Sequence, residues 1–323
     1  MPGVLCLVRV FTRGTGHETR GTSRKSELPQ STLTLHEVGR SFLPPTNHPL
    51  PTTVDAAVPQ SVHYLAPLTP SGTQMPRPLF AGNWKLNLLR AGAVELAAAL
   101  RKGLEGETKV DVVVCPPYTA LVAVSEVLKG SAIGVGGQDL SWQDSGAFTG
   151  EVSGPMLADL GCRWVIVGHS ERRQYFGDTD ELVGKKLRSA QKAGLEPIVC
   201  VGERLDERER GVTKEVVGRQ LDGALGGLSK DELKKLTVAY EPVWAIGTGK
   251  VATPEQAQEV HAFIRGRLLA LSDAATAGEV RVLYGGSVTP ENVRGLMEKP
   301  DVNGALVGGA SLKAESFLKI ARG

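Results

Sequence analysis

The sequence holds few of the residues that build covalent or metal scaffolds. Of its 323 residues only four are cysteine (Cys6, Cys115, Cys162 and Cys200), and none forms a Cys-x-x-Cys pair. That spacing argues against zinc, and in a chain of this size the four thiols read as reduced, buried small side chains rather than a disulfide framework. No run of about 18 apolar residues occurs, so nothing reads as a membrane span. The net charge is only +2, too small an excess to imply a nucleic-acid or membrane partner. Only two of the six histidines, His169 and His261, lie beyond residue 76.

What is present divides into two regions. Residues 1–74 hold 9 of the 19 prolines, together with 17 Ser/Thr. Stretches such as Leu43-Pro44-Pro45-Thr46-Asn47-His48-Pro49 show no period of 2 or 3.6 and bury too little apolar surface to offset the entropy of ordering. Residues 1–76 therefore read as a disordered Pro/Ser/Thr-rich extension, and 77–323 as the catalytic domain. Three readings of the extension stand open. It is a transit peptide, since Arg9 and Arg13 lie in an acid-free start. Or it is an arm with its own partner, or the product of a start placed too early, with Met75 two residues ahead of the first strand. The location expected is the cytoplasm, or an organelle if the first of these holds.

From Arg77 onward, short β-branched runs alternate with helical patterns. Strands are expected at Pro78–Asn83, Val110–Cys115, Ala132–Gly137, Trp164–Gly168, Pro197–Val201, Leu236–Tyr240, Val280–Tyr284 and Gly304–Val307. Between them the Ala/Leu-rich stretch Arg90–Leu104 reads as a helix. Ser229-Lys230-Asp231-Glu232 and Thr253-Pro254-Glu255-Gln256 read as capped helix starts. Strand–helix alternation implies parallel strands, and eight units in about 250 residues imply a closed (β/α)8 barrel. No Gly-x-Gly-x-x-Gly follows the first strand, which weighs against a dinucleotide-binding sheet.

In such a barrel the strand C-termini carry the active site. The first strand leads into Asn83-Trp84-Lys85. Two residues apart, Asn83 and Lys85 would share a strand face and point to the axis, where a lysine is costly unless it meets an anion. The alternative is a solvated lysine just past the strand. The fourth strand leads into Gly168-His169-Ser170-Glu171. His169 would stand at a helix start, whose positive end favours a neutral ring, and Glu171 could pair with Lys85. His261 falls within a helical pattern and reads as structural. The sixth strand ends at Tyr240-Glu241-Pro242, giving a carboxylate among apolar neighbours. The loop Ala245-Ile246-Gly247-Thr248-Gly249-Lys250 that follows could close as a lid and offer backbone N–H groups to an anion. Tyr284-Gly285-Gly286-Ser287 and Val307-Gly308-Gly309 end the last two strands, where barrels grip phosphate. One base, one electrophile and a phosphate grip point to proton abstraction next to a carbonyl. Neither a metal cluster nor a Ser or Cys nucleophile beside a base is expected, and no cofactor.

These stretches, Ala81–Asn87, Val167–Arg173, Tyr240–Lys250, Tyr284–Val288 and Asn303–Leu312, closely resemble the triosephosphate isomerase family, in order and without a missing element. The resemblance implies that Glu241 removes a proton from a triose phosphate while neutral His169 polarises its carbonyl. Lys85 and Asn83 would stabilise negative charge, and Glu171 would position Lys85. Gly247, Ser287, Gly308 and Gly309 would hold the phosphate, with Tyr284 and Ser287 receiving the closed lid. It also implies a homodimer, since Ala147-Phe148-Thr149-Gly150-Glu151 is similar to the family's dimer-contact loop. Two rivals are a non-catalytic sugar-phosphate barrel and another phosphate-gripping isomerase. The first predicts a damaged catalytic residue and the second lacks the Glu241-Pro242-Val243-Trp244 entry to the lid.

Overall fold

The computed structural model describes residues 76–323, so the expected extension and the three readings of it lie outside the described residues. The strands are β1 (Leu79–Asn83), β2 (Asp111–Cys115), β3 (Ile133–Gly137), β4 (Trp164–Val167), β5 (Glu196–Val201), β6 (Thr237–Tyr240), β7 (Arg281–Tyr284) and β8 (Gly304–Val307). They differ from the sequence reading by at most one residue at either end. All pair in parallel and in chain order, and β8 returns to β1 with Gly304 opposite Leu79, closing an eight-stranded barrel. Intervening helices cover the outside, as expected for parallel strands buried on both faces.

Alternation along the strands builds two apolar layers. Leu79, Ala81, Val113, Cys115, Trp164, Ile166, Ile198, Cys200, Ala239, Leu283 and Leu306 fill the barrel interior. Their strand neighbours, Phe80, Val112, Val165, Val199, Val238 and Tyr240 among them, pack outward against the helices. The interior plug depends on glycine in β3. A Cβ at Gly134 would lie 2.1 Å from Cζ3 of Trp164, so only glycine leaves room for that indole.

Local signals hold where they are self-contained. The helix Arg90–Gly103 forms as read. Ser229 and Thr253 both make full capping boxes, returning bonds with Glu232 and Gln256. The period-2 alternation also sets the mouth. With Ala239 inward and Tyr240 outward, the next residue, Glu241, turns inward at the C-terminal rim.

Candidate active site

At the end of β4, Gly168 adopts φ +68°, a left-handed value that glycine reaches without strain. The turn makes His169 the N-cap of the helix Ser170–Tyr175, and its Nδ1 accepts the backbone N–H of Glu171 at 3.2 Å. An acceptor at Nδ1 leaves the ring hydrogen on Nε2 and the imidazole neutral. Nε2 lies 3.1 Å from Oε1 of Glu241. Both side chains are buried.

Glu241 is further held by a single neighbour. The backbone N–H of Ser170 donates to Oε2 and its hydroxyl to Oε1, each at 2.9 Å. Sequence reading did not single out this serine, which here is a donor to the carboxylate and not a nucleophile. The order is Ser–Glu–His, with the carboxylate in the middle, so nothing takes the Ser170 proton in the manner of an acyl-transfer triad. Below them, burial pushes the Cys200 thiol well above its usual pKa, and the negative charge of Glu241 adds to the effect.

Lys85 stands two residues beyond the end of β1, not within it, with φ +51°. It shares the cavity with Asn83, but the cause is this left-handed turn and not strand alternation, so part of the sequence argument is corrected. Its backbone N–H donates to Oδ1 of Asn83 at 3.0 Å, and its Nζ donates to Oε1 of Glu171 at 2.6 Å. The expected Lys85–Glu171 pair is present.

After β6 a short 3-10 turn, Val243–Ala245, leads to Gly247 and Gly249, which adopt φ +69° and +78°. Its start is anchored by Glu203, which the sequence reading missed. This fully buried carboxylate accepts from Nε1 of Trp244 at 2.8 Å and from the Tyr240 hydroxyl at 3.1 Å. Burial raises its pKa, and these donors offset only part of that. Its signal was weak, since a lone acid after a strand is common on surfaces. Beyond the turn, the Tyr284 hydroxyl is buried without a hydrogen-bond partner. Burial pushes its pKa to about 12, and the nearby Ala252 backbone opposes this.

Asn83, Lys85, His169, Glu241, Gly247, Ser287, Gly308 and Gly309 line one cavity of about 350 Å³. A Cβ at Gly308 would come 3.4 Å from Cε of Lys85, so the loop after β8 and this lysine face the same space. Cavities of about 540 and 600 Å³ lie at the opposite end of the barrel, lined by residues such as Gly130–Ile133, without this convergence of chemistry. Glu171 sits at the edge, joined through Lys85, and Tyr284 lies beneath. Among the described residues no group of three or more His, Cys, Asp or Glu side chains could hold a metal ion. The site thus offers a carboxylate, a neutral imidazole N–H and one ammonium beside glycine-rich loops. That set can move a proton and stabilise the resulting negative charge.

Known proteins resemble the chain over this same region. The family model described as triosephosphate isomerase matches residues 78–323. The triosephosphate isomerase of Moorella thermoacetica is 58% identical over 246 residues, covering 76% of this chain and 98% of its own. That of Geotalea uraniireducens is 54% identical over 248 residues, covering 77% and 99%. The crystal structure of triosephosphate isomerase from Bartonella henselae superposes with a TM-score of 0.69 at 39% identity, covering 76% of this chain and 97% of that one.

Proposed function

The chain belongs to the triosephosphate isomerase family, and from that premise we propose how its residues divide the reaction. The enzyme is an aldose–ketose isomerase of glycolysis that interconverts dihydroxyacetone phosphate and D-glyceraldehyde 3-phosphate through an enediol(ate). Glu241 is the base that takes the carbon proton. His169, neutral with its hydrogen on Nε2, donates to the substrate carbonyl and passes protons between the two oxygens. Lys85 balances the charge of phosphate and enediolate, Asn83 donates beside it, and Glu171 holds the ammonium in place. Gly247, Ser287, Gly308 and Gly309 bind the phosphate.

The observation that carries this reading is the 3.1 Å approach of His169 Nε2 to Glu241 Oε1 within the cavity that Lys85 also lines. Glu241 is engaged by two donors, both from Ser170, so it must release Ser170 before it can reach a substrate carbon. The residues that follow it, Pro242-Val243-Trp244, lead directly into the lid, which couples that release to closure. Tyr284 and Ser287 receive the closed lid. An assay coupling glyceraldehyde 3-phosphate consumption to dihydroxyacetone phosphate reduction tests the assignment. Activity retained after loss of His169 and Glu241 would sink it.

The homodimer belongs to the same proposal. The loop 138–151 leaves Trp142 43% and Phe148 44% exposed, which favours a second copy as cover. No helix among the described residues is long and apolar enough to cross a membrane. We place the enzyme in the cytoplasm, with an organelle as the alternative. The N-terminus of the native protein, read by mass spectrometry, separates the two. A cut within residues 20–70 would support the organelle.

A further inference from the structure

Lys85 is one of only two non-glycine residues with a left-handed φ among the described residues, the other being Leu88. A side chain with a Cβ is strained in that region, and such strain persists only where neighbours over-determine it. The constraint comes largely from one group outside the loop. Nε2 of Gln138, just past β3, donates to the carbonyl oxygens of both Lys85 and Cys115, each at 2.9 Å. Cys115 O in turn accepts the Trp84 backbone N–H at 3.1 Å. A primary amide carries two hydrogens, and both are spent here. The reverse orientation would set an oxygen against two carbonyls, so the donor assignment is forced.

We infer that Gln138 is a positioning residue, whose side-chain amide ties the Lys85 backbone to β2 and so keeps the Lys85 ammonium facing the substrate cavity. Asn83 fixes Lys85 from its N–H side and Glu171 fixes the ammonium. Gln138 alone fixes the carbonyl, the group that a relaxation to negative φ would swing away. The inference rests on the reading that Lys85 binds the substrate's anionic end.

The test measures the dissociation constant of glycerol 3-phosphate, an unreactive phosphate-bearing probe, alongside kcat, KM and melting temperature. Gln138→Met keeps the length and removes both donors. Gln138→Asn keeps an amide that reaches neither carbonyl. Either variant that stays folded should bind the probe roughly tenfold more weakly, the effect of losing hydrogen bonds that hold one charged group. In a Lys85→Met background, adding Gln138→Met should cost nothing further, because the group it positions is gone. A purely structural role would show the same loss in both backgrounds, and that result overturns the inference. So would probe affinity within twofold of the native enzyme, or loss of the fold in both Gln138 variants. If Lys85→Met weakens the probe and Gln138→Met does not, only this inference fails. If Lys85→Met leaves affinity unchanged, the reading of Lys85 fails and takes the inference with it.

Discussion

Ser170 holds Glu241 at both ends of its carboxylate, with the backbone N–H on Oε2 and the hydroxyl on Oε1, both at 2.9 Å. One residue after His169 in the chain, it ties the carboxylate that follows β6 to the helix start that follows β4. Both oxygens of the carboxylate are therefore held by donors from one residue.

Glu241→Gln should keep the fold and cut turnover by about 10²- to 10⁴-fold, the range for losing a general base. The amide matches the shape but cannot accept the proton. Its oxygen can keep the Ser170 N–H while its NH2 donates to the Ser170 hydroxyl, which reverses its role. Steady-state kinetics with a melting curve as control decide the matter. Turnover within threefold of the native enzyme would remove Glu241 from the role of base.

Lys85→Met should lower kcat/KM by about 10²-fold and weaken a phosphate-bearing inhibitor in the same variant, since one positive charge serves both. Glu171 is left without its partner, but its side chain is 42% exposed and stays solvated, so the melting temperature should barely move. An inhibitor that binds the variant as tightly as the native enzyme would show that Lys85 does not face the phosphate.

Which features were legible follows from how far apart their causes lie in the chain. The eight strands and the capping boxes at Ser229 and Thr253 depend on neighbours within a few residues, so pattern alone finds them. Glu241, His169 and the glycine loops are legible because barrel topology puts strand ends at one mouth. The conformation of Lys85 was not, because it is held by Gln138, 53 residues away. Ser170 was overlooked although it adjoins His169, since its function depends on Glu241, 71 residues on. The buried group formed by Lys186 with Asp139 and Asp178 was hidden for the same reason.

Phe148→Asp should convert a dimer into a monomer and lower activity. Trp142 and Phe148 meet edge-on at 6.3 Å between centroids, yet each stays over two-fifths exposed, so neither is fully covered within one chain. A carboxylate placed there would have to be buried against a second copy, at a cost of several kcal/mol. Sedimentation equilibrium checks it, and a native enzyme that is an active monomer at nanomolar concentration would sink the dimer.

The final expectation concerns pH. Nζ of Lys186 is buried between two carboxylates, 2.8 and 2.9 Å from the oxygens of Asp139 and 2.9 and 3.0 Å from those of Asp178. One ammonium shared by two acids compensates neither fully, and Arg172 adds bonds at 2.8 and 3.3 Å. Burial raises the Asp139 carboxyl to about 6 against the attraction of Lys186 and Arg172, with the charge of Asp178 adding to the rise. An unfolded aspartate titrates near 3.9, so between about pH 4 and 6 the folded state holds the proton more tightly. The stability Asp139 contributes is thus fully present below pH 4 and is lost as pH climbs through 6, a change of roughly 2 to 3 kcal/mol. Asp139→Asn fixes the neutral form. Its melting temperature relative to the native enzyme should therefore rise between pH 5 and pH 8. A difference that stays constant across that range, or one that falls, would show that Lys186 and Arg172 neutralise Asp139 after all.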